Sequence, residues 1–243
     1  MTVEACVNSA FSAAEAMAGG ARRVELCENL AVGGTTPGPG TISLARKVVC
    51  KGLFVMIRPR GGDFLYTDEE FEIMRHDILA ARELGADGVV FGILEPGGRI
   101  DTERMRELVA LARPMGITCH RAFDMTEDPF RALEDLIRLG IDRVLTSGHA
   151  PTALAGAITL RRLVEAASGR ITVMPGGGIK EHNIAEVARL TGASEFHVRL
   201  EKKVSSRMDF RRQEVSMGTQ GQSEYEHTVT DRERIRQVVS LLA

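Results

Sequence analysis

Leu53-Phe54-Val55-Met56-Ile57 is an unbroken apolar run that stops at Arg58-Pro59-Arg60-Gly61-Gly62-Asp63-Phe64. A short apolar run bounded by turn residues reads as a buried strand. One that ends in two arginines, two glycines and a carboxylate presents charge from a rigid support. Three other apolar runs end in the same manner. Ile117 to Cys119 leads into His120-Arg121-Ala122-Phe123-Asp124, Val144-Leu145 into Thr146-Ser147-Gly148, and Ile171 to Met174 into Pro175-Gly176-Gly177-Gly178. Polar ends on so many buried strands imply one shared mouth.

Outward from these runs, strand candidates begin near Val3, Arg23, Leu53, Gly88, Ile117, Arg143, Ile171 and Glu195, with amphipathic stretches between them. Thr67-x-x-Glu70 and Thr230-x-x-Glu233 read as capping boxes, and Asp128-Pro129 as an N-cap followed by proline at the first helical position. Gly85 and Gly140 stand where a left-handed helix stop is wanted. Gly20-Ala21, Gly85-Ala86, Gly140-Ile141 and Gly192-Ala193 precede every second strand, a fourfold β-α-β-α period that suits a closed barrel. The expected architecture is a single-domain α/β fold over residues 1–243, a (β/α)8 TIM barrel. A doubly wound open sheet is the alternative, but no G-x-G-x-x-G follows the first strand. The polar stretch from Arg199 to Thr230 reads as irregular chain wrapping the rim.

Composition narrows the partners. The 243 residues are 44% apolar, enough for a sizeable core. A formal net charge of −2 and a pI near 6.3 supply no basic field for nucleic acid or an anionic membrane. No apolar stretch approaches the roughly 20 residues of a membrane span, and no signal-peptide pattern opens the chain. A soluble, cytoplasmic protein is expected. Cys6, Cys27, Cys50 and Cys119 are widely spaced without a C-x-x-C pair, so neither a disulfide framework nor a zinc knuckle is indicated.

Side chains alternate inward and outward along barrel strands, so parity sorts the candidates. Val3-Glu4-Ala5-Cys6 and Val24-Glu25-Leu26-Cys27 carry the same Glu-x-Cys unit on adjacent strands. Because Val3 and Leu26 are the natural packers toward the helices, each Glu and Cys should point into the barrel. Two inward thiols can reach one soft ion, and thiolates select Cu(I) over harder metals. A free cysteine also behaves commonly as a small buried hydrophobe. Glu4 and Glu25 need a partner or a raised pKa. Pairing with Arg58 and a part in catalysis both meet that need.

Arg58 and Arg60 share parity with Met56 and are expected to lean over the mouth, where guanidinium groups bind carboxylate or phosphate in forked geometry. Gly176, Gly177 and Gly178 expose backbone N–H groups between the seventh strand and its helix, where many barrels hold phosphate. His120 and Asp124 share parity, so Asp124 is expected to orient the imidazole as in an acid/base pair. His197 faces the first strand across the barrel closure, near Cys6. His76, His149, His182 and His227 fall in helix or loop patterns. There is no H-E-x-x-H, G-x-S-x-G or P-loop.

These blocks resemble the copper homeostasis protein CutC family. Glu4-x-Cys6-x-x-Ser9, Arg23-Val24-Glu25-Leu26-Cys27, Gly33-Gly34-x-Thr36-Pro37, the Ile57 to Phe64 block, the His120 to Asp124 block, Arg143-Val144-Leu145-Thr146-Ser147-Gly148 and Met174-Pro175-Gly176-Gly177-Gly178 all fit its pattern. The resemblance implies a TIM barrel, an intracellular location, homo-oligomers such as dimers or tetramers, and Cu(I) as the ligand. In the animal members Cu(I) binding is proposed through the two cysteines matched here by Cys6 and Cys27. The chain departs from the pattern at His197-Val198-Arg199-Leu200-Glu201, where a small serine-containing stretch is usual, at Gly38 and at Arg212. Two functions follow: copper handling through Cys6 and Cys27, or an enzyme acting on a small anionic or phosphorylated metabolite. In the second, Arg58, Arg60 and the glycine loop bind charge while His120 with Asp124 or Glu25 moves protons.

Overall fold

The computed structural model of the chain describes residues 1–212, 214, 215, 217 and 223–243. Its elements run β1 (Thr2–Val7), α1 (Ala10–Ala18), β2 (Arg23–Leu26), α2 (Pro39–Val48), β3 (Leu53–Met56), α3 (Asp68–Glu83), β4 (Gly88–Phe91) and α4 (Thr102–Ala112). They continue through β5 (Gly116–Cys119), α5 (Pro129–Arg138), β6 (Arg143–Thr146), α6 (Ala157–Ala167), β7 (Thr172–Pro175), α7 (Ile184–Thr191) and β8 (Glu195–Val198). An added pair, β9 (Glu201–Ser205) and β10 (Glu226–Thr230), precedes α8 (Arg232–Ser240). The eight barrel strands are parallel and hydrogen-bonded in the order β7-β6-β5-β4-β3-β2-β1-β8. β7 and β8 lie side by side and nearly close the ring, so the fold is a single-domain TIM barrel.

Each strand feeds two apolar layers because its side chains alternate. Val3, Val24, Leu26, Leu53 and Val55 face outward and pack under the helices in the larger cluster. Cys6, Cys27, Phe54, Met56 and Val90 form a separate cluster inside the barrel. Phe54 needs room there. A Cβ on Gly88 would stand 2.3 Å from its ring, and one on Gly116 would stand 2.8 Å from it, so β4 beside it and β5 one strand further on both carry glycine where the ring crosses.

Helix punctuation follows the sequence with one change. The Thr67 and Glu70 box forms in full, and Asp128 caps α5 ahead of Pro129. Gly85 and Gly140 take φ of +83° and +73° just past their helices. At the last helix the cap is Asp231, not Thr230: its carboxylate accepts the N–H groups of Glu233 and Arg234. The stretch expected to be irregular instead holds an antiparallel hairpin, with Glu201 opposite Thr230 and Ser205 opposite Glu226. Thr230 donates its N–H to Ser12 Oγ at 3.1 Å, tying the hairpin to α1. Among the described residues no helix is long and apolar enough to cross a membrane.

Replacing Gly88 with alanine forces a methyl group into the Phe54 ring, so Gly88→Ala should lose about 1–3 kcal/mol in urea unfolding. Phe54→Leu in the same background should recover part of that loss. A Gly88→Ala protein as stable as wild type would show that the ring is not wedged.

Candidate functional site

Glu4 sits in register between Arg23 on β2 and His197 on β8. Neighbours in register on parallel strands point to the same face, so the three side chains meet inside the barrel. The Glu4 carboxylate, wholly buried, accepts from Arg23 Nε on one oxygen and lies 2.7 Å from His197 Nδ1 on the other. Arg23 also reaches Glu195 at 2.5 Å, and Glu195 reaches Arg143 at 2.7 Å. Both guanidiniums lie over the Phe54 ring, at 5.2 and 5.5 Å. Burial raises the pKa of Glu4, but Arg23 and His197 together outweigh it and bring the group down to about 2. The expected pairing of Glu4 and Glu25 with Arg58 does not form, because the register supplies Glu4 with nearer partners.

One layer above, Cys6 stands beside Glu25 in register, and Cys27 follows at the end of β2. The sulfurs of Cys6 and Cys27 and a carboxylate oxygen of Glu25 all lie within 4.8 Å of one another. Cys27 Sγ is 3.4 Å from Glu25 Oε2, and His197 Nε2 is 3.8 Å from the same oxygen. Cys6, Cys27 and Glu25 are buried, His197 is half-buried, and both thiols are free. Gly34, at φ +91°, leaves space for Cys27: a Cβ there would sit 3.2 Å from the sulfur.

The electrostatics polarise this cluster. A hydrogen bond from the Cys27 thiol lowers Cys6 to about 5 against the effect of burial, with His197 helping. The same bond, then burial and Glu25, push Cys27 well above the ordinary thiol range. Burial raises Glu25 to about 8, and its Oε1 has no partner among the described residues. Burial works against charge on His197, yet Glu25, Cys6 and Glu4 prevail and hold it protonated.

Cys6, Glu25 and His197 form one wall of a cavity of about 600 Å³ that also meets Arg58, His120, Gly177 and Gly178. Cys27 lies behind that wall. Arg58 does not stretch across the mouth. Its guanidinium donates to the carbonyls of Val32 and Gly34, each at 2.9 Å, and of Gly62 at 2.8 Å, holding two loops together. Arg60 is off the cavity wall: it pairs with Glu70 at 2.6 Å and Asp63 at 3.0 Å and lies over Tyr66. Parity fails for Arg60 because β3 ends at Met56 and alternation does not survive the turn.

His120 and Asp124 also part company. A 3₁₀ turn over Arg121–Met125 carries Asp124 to Thr146 Oγ1 at 2.5 Å, the Ser147 N–H at 3.0 Å and Arg121 Nε at 2.7 Å. No hydrogen bond joins it to His120. The His120 Nδ1 accepts the Ala122 N–H at 3.2 Å, and burial, then Arg58, lower its pKa to about 3. In the glycine loop, Gly176 packs against Leu145 and His197, while Gly177 and Gly178 face the cavity at φ +96° and +73°. Helix α7 starts only at Ile184, so the loop is not itself a helix N-terminus.

Arg121, Lys180, Arg199 and Glu201 complete the charged wall; the sequence marks Arg199 and Glu201 only as a departure from the family pattern and gives none of the four a site role. Arg199 pairs with Glu201 at 2.9 Å, so an ion pair occupies the rim where the family pattern usually has small residues. The Arg23, Arg143 and Glu195 network was equally missed. Its signal was present: Arg23 shares parity with Glu25 and Cys27.

The family model for the CutC family matches residues 1–202. The chain belongs to the CutC family. It is 49% identical over 236 residues to a family protein CutC of Parabacteroides distasonis, covering 96% of this chain and 97% of that one. It is likewise 49% identical over 235 residues to the human copper homeostasis protein cutC homolog, covering 96% of this chain and 86% of the relative. A crystal structure of CutC from Streptococcus agalactiae superposes with a TM-score of 0.78 at 36% identity, over 81% of this chain and 97% of that one.

A thiol lowered to about 5 is largely thiolate above that pH. Cys6 alkylation by iodoacetamide, followed by mass spectrometry, should therefore climb through about pH 5 and level off by neutrality, relative to the intrinsic thiolate rate. Cys27→Ala removes the donor and should move the rise toward higher pH. A Cys6 profile that climbs only above pH 8 would contradict the electrostatic account.

Proposed function

We propose that this CutC-family protein handles copper by binding Cu(I) between Cys6 and Cys27. One observation carries the reading: two free sulfurs on adjacent strands, buried, and within 4.8 Å of each other. Thiolates favour a soft monovalent ion, and a low coordination number leaves no need for harder donors. Reduced thiols also agree with a cytoplasmic setting. Cys50 is exposed and Cys119 lies in the outer core, so neither shares the site.

A second reading rests on the size of the cavity. About 600 Å³ is far more than a metal ion occupies and falls within the range of small-molecule sites. Cations on its wall suit a small anionic metabolite, and a proton-transfer role for Glu25 is supported by its position on that wall with one oxygen unpartnered among the described residues. In this reading Glu25 takes the proton-transfer role, since Asp124 is committed elsewhere.

Competition between the protein and a Cu(I) chelator should show affinity falling in Cys6→Ser and in Cys27→Ser while Cys50→Ser matches wild type. Unchanged affinity in both site variants would remove the copper reading. For the enzyme reading, wild type and Glu25→Gln are incubated with metabolite extracts and the products compared by mass spectrometry. Loss of an acid/base group should slow any conversion by about a hundredfold to ten-thousandfold. Extracts left unaltered by wild type would leave that reading without support.

A further inference from the structure

Arg58 is 5% exposed, yet no carboxylate pairs with it among the described residues. Its bonds go to carbonyl oxygens, the Tyr66 hydroxyl also lies beside its guanidinium, and its Nε has no close partner among the described residues. A buried charge ordinarily has a counter-charge. The nearby acids are already committed, with Glu70 and Asp63 on Arg60.

His120 presents the matching feature. It is 4% exposed, and because Nδ1 accepts the Ala122 N–H, its ring proton sits on Nε2. That Nε2 also lacks a partner among the described residues. The two groups pack on the same ring: Arg58 lies 4.9 Å from the Phe64 centroid and the His120 ring 5.0 Å from it. Both line the same cavity. Gly92 leaves room for the imidazole, since a Cβ there would stand 3.0 Å from the ring.

We propose that Arg58 Nε–H and His120 Nε2–H form a two-donor oxyanion site that takes the carboxylate or phosphate end of a small metabolite, resting on the enzyme reading above. His120 is then a neutral hydrogen-bond donor and not the proton carrier that its place at a strand end suggests. Its depressed pKa agrees, since a ring that stays neutral keeps its single donor across the physiological range. The remaining charge balance favours an anion as well. On the cavity wall Arg121 is paired with Asp124 and Arg199 with Glu201, which among the described residues leaves Arg58 and Lys180 without a carboxylate partner. An anion delivered to buried donors forms charge-assisted bonds, stronger than neutral ones.

The test uses the full chain, reduced and metal-free, titrated calorimetrically with inorganic phosphate and separately with acetate. His120→Phe keeps a ring against Phe64 and removes the donor. Arg58→Ala is a poor probe because that side chain also clasps two loops. At least one probe should bind wild type, and His120→Phe should weaken it about tenfold or more, the loss of a hydrogen bond to a charged group. Binding by phosphate alone assigns a phosphate ester, and by acetate alone a carboxylate. If His120→Phe does not fold, the wild-type imidazole decides: its ¹⁵N-resolved Nε2–H resonance should shift on saturation while the ring stays singly protonated. Failure of both probes to bind, equal affinity in a folded His120→Phe, or an unmoved Nε2–H signal overturns the site. Binding that depends on His120 without turnover of any extract retains the oxyanion site and ends only the enzyme reading.

Discussion

A carboxylate buried inside a barrel and clamped from both sides is the constraint on which the site depends. Glu4 meets Arg23 on one neighbouring strand and His197 on the other, so a single side chain ties three strands across the place where the barrel begins and ends. Removing one partner of such a buried pair typically costs about 3–5 kcal/mol, because the other charge is stranded. The clamp does more than hold strands together. With Nδ1 fixed by Glu4, the imidazole of His197 has only Nε2 left to offer, on the side of Glu25. Its charge then favours the thiolate form of Cys6.

The barrel interior is accordingly layered by chemistry. At the floor, two arginines, Glu195 and Phe54 form a closed arrangement in which each charge has a partner, with glycine on β4 and β5 clearing space for the ring. Above it come the sulfurs, Glu25 and His197, where protons are shared unevenly. The open cavity lies above that layer, and its cations are only partly neutralised. A soft metal suits the middle layer and an oxyanion the cavity wall by Arg58 and His120. The two readings therefore concern different depths of one site, joined through Cys6 and Glu25, which belong to both.

The barrel could be read from the sequence because strands buried on both faces give apolar runs, and helices are punctuated by Thr67, Asp128, Gly85 and Gly140. Parity also placed Glu4, Cys6, Glu25 and Cys27 inside correctly. It failed in the turns that follow β3 and β5. Asp124 is swung toward Thr146 and Ser147 by a 3₁₀ turn, and Arg60 is drawn outward by Glu70. The hairpin of β9 and β10 was hidden because Glu201-Lys202-Lys203-Val204-Ser205 reads as a solvated charged stretch; its pairing is decided by a partner strand far along the chain. Arg121, Lys180 and Arg199 could not be told from surface cations, since their meaning comes from the cavity they share.

X-ray absorption at the copper edge tests the central claim most directly. On the reduced full chain loaded with one equivalent of Cu(I), the account predicts a shell of two sulfur neighbours, falling to one in Cys27→Ser and in Cys6→Ser. A shell of nitrogen and oxygen alone, or a sulfur count unchanged by either substitution, would contradict it.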